Sequence, residues 1–250
     1  MFSADKIKTL TGLNDVTVLE EIDSTNTFLK KQVNSKEEGA LVIAKEQTAG
    51  RGRLGRTFVS QKNGLYMSLL LKPDFSDILK ITTMAAVAVS RATDKHKKSK
   101  IKWVNDIYVD DKKVSGILTE GVFEGGQLKG AILGIGVNLI KPENGMDESI
   151  KDIADYIFEK DTGVADQFVA DIINNFFDIY KSKEYVQEYR NKSYLTGKSV
   201  FFEKDDQKYT GIVVGIDDDC GLIVDCNNEK IVLKCGEVTV HGFRQNAKSE

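Results

Sequence analysis

The stretch Gly50-Arg51-Gly52-Arg53-Leu54-Gly55-Arg56 alternates glycines with guanidinium side chains. Glycines let backbone N–H groups come close to an anion, and arginines neutralise it with forked donors, so phosphates are the guests such a loop suits. Further along, Lys102-Trp103-Val104-Asn105-Asp106 sets a lysine just ahead of an Asn-Asp turn, and Lys113 opens the strand-like run Val114-Ser115-Gly116-Ile117-Leu118. Taken alone, this segment also reads as a β-hairpin with exposed lysines and Trp103 in the core. Ser24-Thr25-Asn26 reads first as a helix N-cap, which uses one side chain and leaves the others free.

Scarce residue types narrow the chemistry. Cys220, Cys226 and Cys235 show neither CxxC spacing nor nearby histidines, so no structural zinc site is expected. The histidines are His96 and His241, and His96 sits in the charged run Asp94 to Lys100, which reads as a solvated loop. Ser-His-Asp or Cys-His catalysis is therefore not expected. The chemistry falls to arginines, lysines and backbone amides.

Positioning these groups requires strands and helices in alternation. A short helix ending near Gly12 precedes a strand over Val16 to Ile22, and a helical pattern starts at Ser24. Ala40 to Ala44 and Leu65 to Leu71 read as buried strands flanking the arginine-glycine loop, and a helix is expected from about Ser76 to Thr93. Short strands follow around Ile101, Ile107 and Val114 to Val122, with a hairpin at Glu124 to Gln127 leading into Leu128 to Leu139. Apolar positions from Ala165 to Phe176 recur at three and four, as in an amphipathic helix. Beyond Tyr194, β-branched runs broken by Asp205-Asp206, Asp217 to Asp219 and Asn227-Asn228 read as the hairpins of a small barrel. The fold class is α+β, a mixed or antiparallel sheet packed with helices, with close-abutting domains over 1–193 and 194–250.

The whole chain is consistent with this. Its 250 residues are 41% hydrophobic and 29% charged, an ordinary globular balance, and the formal charge of −3 exerts no net pull on nucleic acid or anionic membrane. No run approaches the ~18 apolar residues of a membrane span, and the first residues lack a signal-peptide plan, so a cytoplasmic protein is expected.

The order of these motifs, with Asp23-Ser24-Thr25-Asn26 before and Gly134-Ile135-Gly136-Val137-Asn138 after, resembles the biotin–protein ligases. Gly236-Glu237-Val238 resembles the close of their C-terminal SH3-like β-barrel. The resemblance implies a class II synthetase-like catalytic domain that forms biotinyl-adenylate from biotin and ATP, with magnesium accompanying the nucleotide. The biotinyl group then passes to a lysine of a biotin carboxyl carrier domain. By the same resemblance, Ser24, Thr25, Asn26, Gln47, Gly50, Arg51, Gly52, Arg53, Lys102 and Gly116 fall at biotin-binding positions. Arg53, Arg56, Phe58, Asn105, Lys113 and Asn138 fall at nucleotide-binding ones, and Lys102, Arg51 and Asp106 at catalytic ones.

Two positions depart from the family pattern. Phe58 stands where many relatives carry tryptophan, and Val104 where Lys-Trp-Pro-Asn-Asp is usual, so less aromatic area and a less preorganised turn are expected on the nucleotide side. Alternatives are a lipoate–protein ligase, disfavoured by a head-group set rich in hydrogen-bonding groups, and an adenylate-binding transcriptional regulator. The latter is disfavoured because about 15 residues precede the first strand, too few for a helix-turn-helix, so no operator binding is expected. A sheet edge left open could pair two subunits.

Overall fold

The computed structural model describes residues 2–74, 77–234 and 236–240. Cys235 and His241 lie outside them, as does Ser76, where the third helix was expected to begin.

Seven strands form the main sheet: β1 (Val16–Ile22), β2 (Leu41–Gln47), β3 (Leu65–Leu71), β4 (Lys100–Lys102), β5 (Asp106–Val109), β6 (Lys112–Glu124) and β7 (Gln127–Val137). Their order across the sheet is β1-β2-β3-β7-β6-β5-β4. The β1–β2 pair is parallel and its neighbours pair antiparallel, so the sheet is mixed as expected. The helices are α1 (Ala4–Thr11), α2 (Thr25–Lys30), α3 (Ile78–Asp94), α4 (Ala165–Ser182) and α5 (Val186–Asn191). Gly12 closes α1 at φ 74°, the left-handed C-cap that glycine adopts without strain.

Alternation along the strands sends their side chains to two different cores. On β3 and β7, Leu65, Met67, Leu69, Ala131, Leu133, Ile135 and Val137 join the large core with α3 and α4. Leu70 and Ile132 point the other way, into a smaller core with Leu29, Val33 and Val42 beneath α2. Beyond α2 this second face carries Tyr66, Ser68, Gly116, Gly134 and Gly136 beside Leu118, and a cleft opens there.

A second sheet, antiparallel and in the order β11-β10-β9-β8-β12, comprises β8 (Ser199–Lys204), β9 (Gln207–Ile216), β10 (Leu222–Cys226), β11 (Glu229–Leu233) and β12 (Thr239–Val240). It is consistent with the expected SH3-like module. Asp205, Asp206, Asn227 and Asn228 turn its hairpins at positive φ. The two sheets abut: Trp103 Nε1 donates to the Cys220 carbonyl at 2.9 Å, and Arg190 Nε to that of Ile216 at 2.8 Å. The Asp94 to Lys100 run is exposed at Lys95, His96, Lys98 and Lys100, as a solvated loop should be, although Ser99 is buried against Ser90 and Asp94.

Candidate active site

One cross-strand row organises the open face. Lys102 pairs with Asp106, Asp106 with Gly116, Gly116 with Gly136, and Gly136 with Tyr66, so five residues from β4, β5, β6, β7 and β3 share a face in sequence. The next row carries Leu118, Gly134 and Ser68. Above these rows lies an open cleft, walled by α2, the end of β2 and the arginine-glycine loop.

At the α2 side a polar set is held rigidly. Ser24 caps α2, accepting from the Thr27 amide, as its sequence position predicts. Gln47 Oε1 accepts from the Thr25 amide at 2.9 Å and its hydroxyl at 3.1 Å, while Gln47 Nε2 donates to Ser60 Oγ at 3.1 Å. Ser68 Oγ lies 2.7 Å from Thr25 Oγ1 and 2.5 Å from Asn26 Oδ1. Donors and acceptors are thereby preset, as recognition of a neutral polar ring requires.

The loop spans from this set to the charged side. The amides of Gly52, Arg56 and Phe58 donate to carbonyls within the loop, so these three are not free for an anion, contrary to the simplest reading of alternating glycines. Leu54 and Gly55 adopt positive φ, which turns the Leu54 side chain into solvent at 75% exposure. Each guanidinium has a protein partner. Arg51 reaches Thr27 Oγ1 at 3.1 Å and Glu120 at 3.5 Å, Arg53 donates to Asn105 Oδ1 at 3.3 Å, and Arg56 pairs with Glu237. Asn105 is itself fixed, its Nδ2 donating to the Ile117 carbonyl at 2.9 Å.

Lys113 Nζ lies 2.8 Å from Asp106 Oδ1, an ion pair whose angles fall outside those of a hydrogen bond, and 5.5 Å from the centre of the Phe58 ring. Lys102 Nζ sits 3.5 Å from Tyr108 Oη and over that ring. Burial pushes the Lys102 ammonium toward deprotonation; Asp106 opposes this, and Lys113 and Arg56 add to it. Tyr189 Oη, from α5, braces the same segment by donating to the Val104 carbonyl at 3.0 Å.

Of the residues expected from sequence, Ser24, Thr25, Asn26, Gln47, Arg51, Gly52, Arg53, Arg56, Phe58, Asn105, Asp106, Lys113 and Gly116 line the cleft. Three do not. Gly50 is buried under the loop, where a Cβ would lie 2.4 Å from the Phe58 carbonyl oxygen. Asn138 is buried past the end of β7, its amide bonded to Val114 and its carbonyl to Ile157. Lys102 is outside the lining, on β4 opposite Asp106, which does line the cleft.

The glycines of β6 and β7 make room for side chains of the protein itself. A Cβ on Gly136 would meet Phe58 at 2.5 Å and one on Gly116 at 2.8 Å, whereas one on Gly134 would meet Asn26 Oδ1 at 2.3 Å. Tyr66, Ser68, Glu120 and Glu237 were missed as site residues. The alternation Leu65-Tyr66-Met67-Ser68-Leu69 is a signal that could have found two of them.

Among the described residues, no group of three or more His, Cys, Asp or Glu gathers to hold a metal ion, and no helix is long and apolar enough to cross a membrane.

Comparison with known proteins places this site in context. Residues 18–138 match the model of the Biotin/lipoate A/B protein ligase family, and residues 196–240 that of the Biotin protein ligase C terminal domain. The Bifunctional ligase/repressor BirA of Bacillus subtilis is 43% identical over 126 residues, which is 48% of this chain and 39% of that protein. The Biotin--[acetyl-CoA-carboxylase] ligase of Paracoccus denitrificans is 34% identical over 128 residues, 49% of this chain and 53% of that protein. These matches thus span about two-fifths to one half of the relatives' own lengths. Among solved structures, the biotin protein ligase from Aquifex aeolicus in complex with biotin and ATP aligns with a TM-score of 0.78 at 30% identity, covering 91% of this chain and 99% of that one. The apo structure of the same enzyme gives 0.74 at 27% identity, covering 90% and 98%.

Proposed function

The chain belongs to the biotin/lipoate A/B protein ligase family, and from that premise we propose that it activates biotin with ATP and transfers it, through biotinyl-5′-AMP, to a specific lysine of a biotin carboxyl carrier domain. One observation carries this reading. A single cleft joins a neutral polar set on α2 and β2 to a cationic set from the loop and β6, Arg51, Arg53, Arg56 and Lys113.

In the first step a carboxylate oxygen of biotin attacks the α-phosphorus of ATP. The bond from that phosphorus to the bridging oxygen breaks, and pyrophosphate leaves. Two anionic groups must meet, and Lys102 and the arginines offset the charge that builds as they do. Magnesium would arrive with the nucleotide, held chiefly by phosphate oxygens and water. In the second step the acceptor lysine attacks the acyl carbon and AMP departs. Asp106 orients the incoming amine or takes its proton. Ser24, Thr25, Asn26 and Gln47 supply donors and acceptors for the ureido ring, groups with nothing to bond in a dithiolane.

The test is ATP–pyrophosphate exchange with biotin or lipoate as the acid. Exchange that depends on biotin is expected. Exchange with lipoate alone would overturn the biotin assignment while leaving the adenylation chemistry standing.

A further inference from the structure

Glu120 lies on β6 opposite Ile132, which in turn faces Leu70 on β3, so its row is otherwise an apolar one covered by α2. A carboxylate in such a place is costly unless donors surround it. Asn26 Nδ2 donates to it at 2.7 Å and Lys30 Nζ at 2.5 Å, while Arg51 stands 3.5 Å away. Burial works to raise its pKa, yet the hydrogen bonds from Lys30 and Asn26 and the charges of Lys30 and Arg51 hold it below the ordinary carboxylate value.

Resting on the reading of the cleft above, we propose that Glu120 is a positioning residue for the biotin end of the site, fixing the Asn26 amide in one orientation and tethering the loop through Arg51. An ionised carboxylate only accepts hydrogen bonds, so it must face the NH2 of Asn26. The Asn26 oxygen is then turned to Ser68 and to the space left by the missing Cβ of Gly134. A glutamine at 120 could either donate or accept, leaving the Asn26 amide free to flip. Arg51, held also by Thr27 Oγ1, ties the start of the loop to the same carboxylate. One side chain therefore sets the head-group donors and the position from which the loop closes.

Two readouts test this on the intact protein with Glu120→Gln. The KM for biotin in pyrophosphate exchange should rise about tenfold or more, as expected for lost hydrogen bonds to a charged group, with the KM for ATP within about twofold. Without ligands, trypsin should cut after Arg51, Arg53 or Arg56 several-fold faster than in the parent. Unchanged biotin KM and unchanged cleavage overturn the proposal, even if the melting temperature falls, since that pattern is purely structural. If the parent protein shows no exchange with biotin, the functional reading fails and the cleavage comparison alone decides the tether. Should Glu120→Gln not fold, Glu120→Asp keeps the charge but withdraws the carboxylate by about 1.5 Å; it should show both effects, and normal values for both would again overturn the proposal.

Discussion

Lys102 and its neighbours are cations held against acceptors of the protein itself. Arg51, Arg53 and Arg56 rest on Glu120, Asn105 and Glu237, and Lys113 rests on Asp106, so on the proposed reading phosphates compete with protein acceptors rather than with water alone. Lys102 has the weaker partner, a phenol at 3.5 Å, and burial depresses its pKa. On the proposed mechanism its ammonium acts in the first step, so pyrophosphate exchange should decline on the alkaline side at a pH below the ordinary lysine value. Lys102→Ala should lower exchange by roughly 10²–10³, by analogy with loss of an oxyanion donor, with an unchanged circular dichroism spectrum. Normal pyrophosphate release from a folded Lys102→Ala protein would contradict this role. These groups were legible in sequence because three arginines among glycines, and a lysine before Asn-Asp, are unusual at that spacing. Glu120 and Ser68 were not, because their neighbours Lys30, Asn26 and Thr25 lie on α2 and are brought to them by its packing on the sheet and not by proximity in the chain.

At the scale of elements, β7 serves both halves of the cleft with alternate residues. Gly134 admits Asn26 and Gly136 admits Phe58, two positions apart on one face. Gly134→Ala should therefore raise chiefly the KM for biotin, and Gly136→Ala chiefly that for ATP, each several-fold, since overpacking forces the opposing side chain to move. Steady-state kinetics of the two variants decide this; a rise in the same KM for both would break the division. The loop between β2 and β3 is tied by its own hydrogen bonds and by exchangeable ion pairs, so it can be redrawn over ligands. Biotin with ATP should slow tryptic cleavage at Arg51 to Arg56, and equal rates with and without them would refute ordering on binding.

Most elements were legible because their apolar period is long or their turns are marked by Gly and Asx residues, as at Glu124 to Gln127. Helix α5, six residues from Val186 to Asn191, was not, being too short to establish a period. Nor does period two reveal which face of β3 and β7 is the open one. That depends on where α2 stops covering the sheet.

Across the whole molecule the two sheets share one hydrophobic core, which runs from Leu41 and Val87 through Trp103 to Val200, Val213 and Leu222. The second sheet contributes more than bulk. Its Cys220 carbonyl takes the Trp103 indole next to Lys102, and Glu237, just before β12, reaches the cleft to meet Arg56. Composition and turn spacing announced a C-terminal set of hairpins but could not say that it touches the site, because that contact depends on how two independently patterned units dock.

Mass spectrometry of a biotin carboxyl carrier domain incubated with this protein, biotin and Mg-ATP tests the central claim most directly. The account predicts one biotinyl adduct on a single lysine, absent when biotin or ATP is left out. An unmodified carrier in the complete reaction, or modification that needs lipoate in place of biotin, would contradict it.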